Sequence, residues 1–276
     1  MIDNICKFLA ENFAADFASW ILGEAITLTK LEPSELLVEP IRADSVIFLE
    51  SSEIILHIEF QTEPNKNIPF RMVDYRLRLY RKFPERQIYQ VVIYLSPSKS
   101  PLVYENTFNL RELKYQFNII RLWEQPTAIF QKYSGLLPFA TLSQTSDPEE
   151  TLRQVAKQIE NIEDKQVQSN VAASTAIISG IALSKGIIQR LLRSEIMKES
   201  VIYQEILRKG LVEGLAKGEA KGLAKGKTKE RNQIALNMMR SNISVELIAQ
   251  FTGLNLKEIE KLQKLPISQF QGKKSK

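Results

Sequence analysis

The chain has 276 residues, with 37 Lys and Arg against 32 Asp and Glu, a net charge of +5 and an ordinary apolar share of 44%. That length can bury one full core and leave material for a smaller module. No apolar run reaches the roughly 18 to 20 residues a membrane helix needs, and the start MIDNICKFLAENF lacks the basic region and apolar stretch of a signal peptide, so a soluble cytoplasmic protein is expected.

Cys6 and His57 are the only residues of their kinds. Disulfides, Cys/His zinc sites and Cys-His pairs therefore have almost nothing to be built from. A Ser-His-Asp hydrolase would have to recruit His57, which sits inside a strand pattern far from any G-x-S-x-G turn. For hydrolytic chemistry this leaves oxygen ligands and a hard cation such as magnesium.

Taken in chain order, residues 3–22 place Ile5, Phe8, Leu9, Phe13, Phe17, Trp20 and Ile21 at helical spacing, which predicts one amphipathic helix. Pro33 and Pro40 bracket a short strand at 35–39. Two β-rich runs at 42–49 and 54–61 follow, joined by Glu50-Ser51-Ser52-Glu53 as a hairpin. Pro64 and Pro69 lead into a helix over 70–82, with Phe70, Val73, Leu77 and Tyr80 as its inner face. The run IYQVVIYL at 88–95 suits a central strand buried on both sides. Strand, helix, strand in that order implies a right-handed crossover, so 54–61 and 88–95 should be parallel. A further strand is predicted at 117–123. The expected fold is α/β, a mixed sheet flanked by helices.

From Asp147 the pattern turns helical through Arg208. Glycines at 210, 214, 218, 222 and 226 then recur every four residues, and since each costs a helix about 1 kcal/mol relative to Ala, a linker or weak helix is expected there. Beyond it, Ser244, Gly253, and Asn255 with Glu258 mark the caps and turn of a small helical hairpin resembling helix-turn-helix units. The predicted division is 1–145, an α/β domain; 146–208, a helical region; 209–230, the glycine repeat; and 231–276, the hairpin and basic tail. From Glu205 onward the net charge is +8, which leaves about −3 on the rest. The tail would suit a polyanion or simply be a solvated extension, and the helical end offers a surface for self-association.

The segment HIEFQ at 57–61 places Glu59 and Gln61 on one strand face. With the hairpin centred between Ser51 and Ser52, Asp44 is expected opposite Glu59, and Arg42 opposite Gln61. Like charges so opposed, with Cβ atoms about 4.5–5.5 Å apart, destabilise the pair unless something offsets them. Spacing leaves two readings: a divalent cation shared by both carboxylates, or a solvated sheet end neutralised by Arg42.

Asp44 and Glu59-Phe60-Gln61 on adjacent strands, within IRADSVIFLESSEIILHIEFQTEPNKNIPFRMVDYRLRLYRKFPERQIYQVVIYL, resemble the PD-(D/E)XK nuclease superfamily. The surroundings look like its recombination-promoting nuclease and putative transposase branch, and the Gly/Lys repeats look like tails seen there. The resemblance covers roughly residues 1–145 and implies a restriction-endonuclease-like core in α-β-β-β-α-β order, acting as a metal-dependent DNA endonuclease. By position, Asp44 and Glu59 would ligate Mg2+ or another hard divalent cation such as Mn2+. The Phe60 backbone carbonyl would add a third oxygen. Gln61 stands where many relatives place a lysine, so an amide replaces the positive charge. Glu11 would be an accessory acid, and Arg71, Tyr75, Arg78 and Lys82 a stripe for DNA phosphates. The alternative is a catalytically inactive protein of the same fold, binding DNA or protein. His57 reads as a packed core histidine.

Overall fold

The computed structural model describes residues 2–31 and 46–263. The chain divides into two compact units, Met1–Glu205 and Ile206–Lys276. Among the described residues, no helix is long and apolar enough to cross a membrane.

The first unit is α/β. Helices α1 (Ile2–Asn12) and α2 (Ala14–Leu22) replace the single helix expected over 3–22. The break lies at Phe13, whose φ of −124° and ψ of 39° leave the helical region. Its cause is a tight contact: a Cβ built on Gly135 would overlap the Phe13 Cβ, and the Gly135 N–H donates to Asp16 Oδ2 at 2.8 Å.

A five-stranded mixed sheet follows in the order β1-β2-β3-β4-β7, formed by Thr29–Lys30, Val46–Glu50, Ile54–Gln61, Gln87–Tyr94 and Asn118–Arg121. Strand β2 runs antiparallel to both of its neighbours, β1 and β3, whereas β4 runs parallel to both β3 and β7. The expected parallel pairing around a helical crossover is therefore present. A small ribbon of β5 (Thr107–Leu110) and β6 (Leu113–Gln116) precedes β7 and shortens the strand expected at 117–123.

The β2–β3 hairpin turns on Ser52 and Glu53. Ser51 N donates to Ile54 O at 2.9 Å, and Ile54 N donates back to Ser51 Oγ at 3.1 Å. This moves the turn one residue later than expected and slides the register by two. Glu59 consequently faces Val46 and not Asp44, and His57 faces Phe48. Because the slide is even, the faces keep their membership.

Helix α3 (Ile68–Lys82) tolerates Pro69 in its first turn, where the missing N–H has no intrahelical partner to lose, and ends on Arg81 and Lys82. Its inner face corrects the expectation. Met72, Tyr75 and Leu79 are buried, while Phe70, Leu77 and Tyr80 are 59%, 53% and 57% exposed; only Val73 of the expected row is inside. Both rows satisfy helical periodicity, and the choice falls to the row that suits the partly polar sheet face beneath.

Under α3, Leu31, Phe48, Ile55, Tyr75 and Leu79 form one cluster, and Ile68, Met72, Val92, Tyr94, Val103 and Phe117 another. On the opposite face Phe60 stacks on Phe139 at 5.8 Å and meets Phe17 edge-on at 6.3 Å. The short helix α4 (Thr127–Gln131) and a 3-10 segment, Ser134–Leu142, lead to α5 (Pro148–Glu160) and α6 (Lys165–Ile178). Asp147 and Asp164 cap these two helices, Asp147 accepting the Glu150 N–H and Asp164 those of Gln166 and Val167. Helices α7 (Lys185–Leu191) and α8 (Ser194–Met197) follow.

Helix α9 (Val201–Arg240) carries the glycine repeat in helical conformation, and a Cβ at Gly210, Gly214, Gly218, Gly222 or Gly226 would meet nothing within 4 Å. In the second unit α10 (Val245–Thr252) and α11 (Leu256–Gln263) bury Ile248, Leu254, Ile259 and Leu262 against Ala235. Gly253 takes the left-handed φ of 64° between them. Asn255 and Glu258 form the reciprocal capping box, with Asn255 N donating to Glu258 at 2.8 Å and Glu258 N to Asn255 at 2.9 Å.

Candidate functional site at the end of β3

Alternation along β3 sends Ile55, His57, Glu59 and Gln61 toward α3. Strands β3 and β4 stay paired in parallel through Gln61 and Tyr94. The site is thus at the C-terminal end of two parallel strands, where open α/β sheets place their ligands.

Glu59 is wholly buried. An isolated carboxylate there would cost several kcal/mol in lost hydration. Arg71, one turn into α3, answers it: its guanidinium lies 2.6 Å from Glu59 Oε1. Gln61 Nε2 donates to the same oxygen at 3.1 Å. Among the described residues, neither Oε2 nor His57 Nε2 has a hydrogen-bond partner. These two atoms are 3.7 Å apart, within electrostatic reach but too long for a hydrogen bond.

The His57 ring is held between Phe48, at 4.8 Å, and Tyr75, edge-on at 5.2 Å. Its Nδ1 lies 2.8 Å from Gln90 Nε2, which also donates to the Met72 carbonyl at 2.9 Å. Tyr115 donates its hydroxyl to Gln90 Oε1. Burial pushes the His57 pKa down, ahead of the opposing pull of Glu59, so the ring is neutral. Burial likewise pushes the Tyr75 phenol up.

A depression of about 550 Å³ opens beside this end of β3, lined by Asp3, Gln61, Glu63, Asn65, Lys66 and Leu102 among others. Gln61 therefore touches both the buried carboxylate and the open volume.

The other anticipated site residues separate. Tyr75 is inside, and Arg71 is spent on Glu59. Arg78 pairs with Asp74 at 2.9 Å, and Lys82 lies over the Phe83 ring at 5.3 Å. Glu11 pairs with Lys30 at 3.6 Å. Phe60 points its ring to the opposite face. Asp44 and Arg42 lie outside the described residues. Gln90 and Tyr115 were missed as site neighbours; the glutamine within the apolar run of β4 was the available signal, since a buried amide needs partners.

Glu59 Oε2 decides whether the site suits a hard cation. A buried, unpartnered carboxylate oxygen is what such an ion satisfies, so Glu59 fits as a ligand. Among the described residues no group of three or more His, Cys, Asp or Glu side chains is placed to hold a metal. No family model, curated protein or solved structure matches the chain.

Proposed function

We propose that the protein is a magnesium-dependent DNA endonuclease with a restriction-endonuclease-like core, of the recombination-promoting, transposase-like kind. The observation that carries this reading is the oxygen of a fully buried Glu59, without a partner among the described residues, at the C-terminal end of β3 beside Gln61 and an open polar depression. Two helices, three strands, a helix and a strand precede β5, an order that supports the reading apart from the split first helix. Asp44 is the proposed second ligand and the Phe60 carbonyl the third.

A divalent cation bound there supplies charge stabilisation for the attacked phosphodiester and lowers the pKa of the nucleophilic water. The chain's own residues do the rest. Arg71 pairs with Glu59 and fixes one oxygen, leaving the other for coordination. Gln61 spends an N–H on Glu59, which leaves its amide oxygen as an acceptor to orient water in the depression. Water oxygen bonds to phosphorus as the bond to the leaving sugar oxygen breaks, and the departing alkoxide takes up a proton.

A specific observation favours a second reading, a non-catalytic protein of this fold that binds DNA or protein. The Glu59 charge is already neutralised at 2.6 Å and carries no solvent exposure. A plasmid-nicking assay separates the two. Wild type should nick in Mg2+ and stop in chelator, and Asp44→Ala and Glu59→Ala should be inactive. Equal residual nicking by all three proteins leaves the binding reading.

A further inference from the structure

The polar chain behind Glu59 determines which nitrogen of His57 carries its proton. Gln90 is buried, and both of its amide hydrogens are committed, one to the Met72 carbonyl at 2.9 Å and one toward His57 Nδ1 at 2.8 Å. Flipping the amide would set its oxygen against the Met72 carbonyl, acceptor against acceptor, whereas the Tyr115 hydroxyl can pair with either end. The amide orientation is therefore fixed. A ring nitrogen that accepts from Gln90 carries no hydrogen, so the neutral imidazole keeps its single proton on Nε2. That N–H lies 3.7 Å from the orphan oxygen of Glu59, and Phe48 and Tyr75 hold the ring in place.

Two consequences follow. Nε2 offers no lone pair, so His57 is not a metal ligand despite facing the proposed centre. It also sets the positive end of an uncharged N–H dipole near Oε2, while Arg71 and Gln61 pull on Oε1. Outer-shell donors of this kind orient a ligating carboxylate without neutralising it.

We propose that Gln90 locks His57 as the Nε2–H tautomer, and that His57 is a positioning residue steering Glu59 Oε2 for cation binding. The second half rests on Glu59 being a metal ligand; the first stands on the hydrogen bonds alone.

His57 is the only histidine of the 276 residues, so two-bond 1H–15N spectra of the labelled chain report one ring without assignment. Wild type should show a protonated Nε2 and a bare Nδ1, and Gln90→Leu should lose that fixed pattern. A protonated Nδ1 in wild type overturns the proposal without any variant having to fold. Titration with Mn2+ tests the positioning half: His57→Phe should weaken binding about tenfold, and His57→Gln, which returns an N–H near the same place, should stay within about threefold of wild type. Wild-type affinity in His57→Phe overturns the positioning role. Equal Mn2+ binding by wild type and Glu59→Gln defeats the metal reading itself, while the tautomer pattern still stands or falls on the spectra.

Discussion

The two faces of β3 come from one alternating strand and are stabilised in different ways. Ile58 and Phe60 point into an apolar layer where Phe60 lies between Phe17 and Phe139. One residue away, His57 and Glu59 are just as buried yet polar, and they persist because α3 and β4 bring Arg71 and Gln90 to meet them. The first face gains stability from area removed from water, the second only from partners that offset desolvation. A face built the second way contributes less to folding and holds a charge in place. That combination suits a site more than a core.

The contrast can be broken from either side. Phe60→Ala should cost about 3–5 kcal/mol in denaturant unfolding, the cavity being closed in by two rigid rings. Arg71→Leu should cost about 3 kcal/mol, because Glu59 is left as an uncompensated buried charge. Adding Glu59→Leu to that variant should recover most of the loss, whereas no second substitution on the other face would rescue Phe60→Ala. If Arg71→Leu alone is neutral, Glu59 is not held as an anion and the comparison fails.

Glycine substitutions extend the comparison beyond the sheet. Gly135→Ala should destabilise by about 1–3 kcal/mol, since its methyl group would overlap Phe13 Cβ. Gly218→Ala on α9 should do the opposite, raising helicity by circular dichroism and stability by about 0.5–1 kcal/mol, with open space at its Cβ. The smallest effect is with pH. Burial lowers the folded His57 pKa, so below its ordinary value of about 6.5 the unfolded chain binds more protons than the folded one. Stability from this residue is present above that pH and is lost as pH falls through the folded value. Unfolding midpoints measured down through this window should drop more steeply for wild type than for His57→Gln.

Strand β3 could be read from the sequence to the residue, and β4 to within one, because a parallel strand covered on both faces is written as an unbroken apolar run. The hairpin register could not, since Ser51-Ser52 and Ser52-Glu53 are equally acceptable turns and only the Ser51–Ile54 bonds choose between them. The inner face of α3 was misread for a related reason. Arg71 and Tyr75 count as polar in a periodicity argument, which favoured the row of Phe70, Leu77 and Tyr80. What turns the helix is the charge on the strand below it. Phe70 in turn finds Phe108 of the β5–β6 ribbon at 5.9 Å, a neighbour no local pattern indicated. Glu59 and Gln61 stood out as anomalies in an apolar strand; their connection to Gln90 and Tyr115 depended on parallel pairing between His57 and Gln90, which is tertiary information.

The most direct test of the Glu59 reading is anomalous scattering from crystals soaked in Mn2+. The expected result is a peak about 2.0–2.2 Å from Glu59 Oε2, with the Asp44 carboxylate in the same coordination sphere. A saturating soak that leaves no peak at Glu59, or one that shows Asp44 on the other side of the sheet, contradicts it.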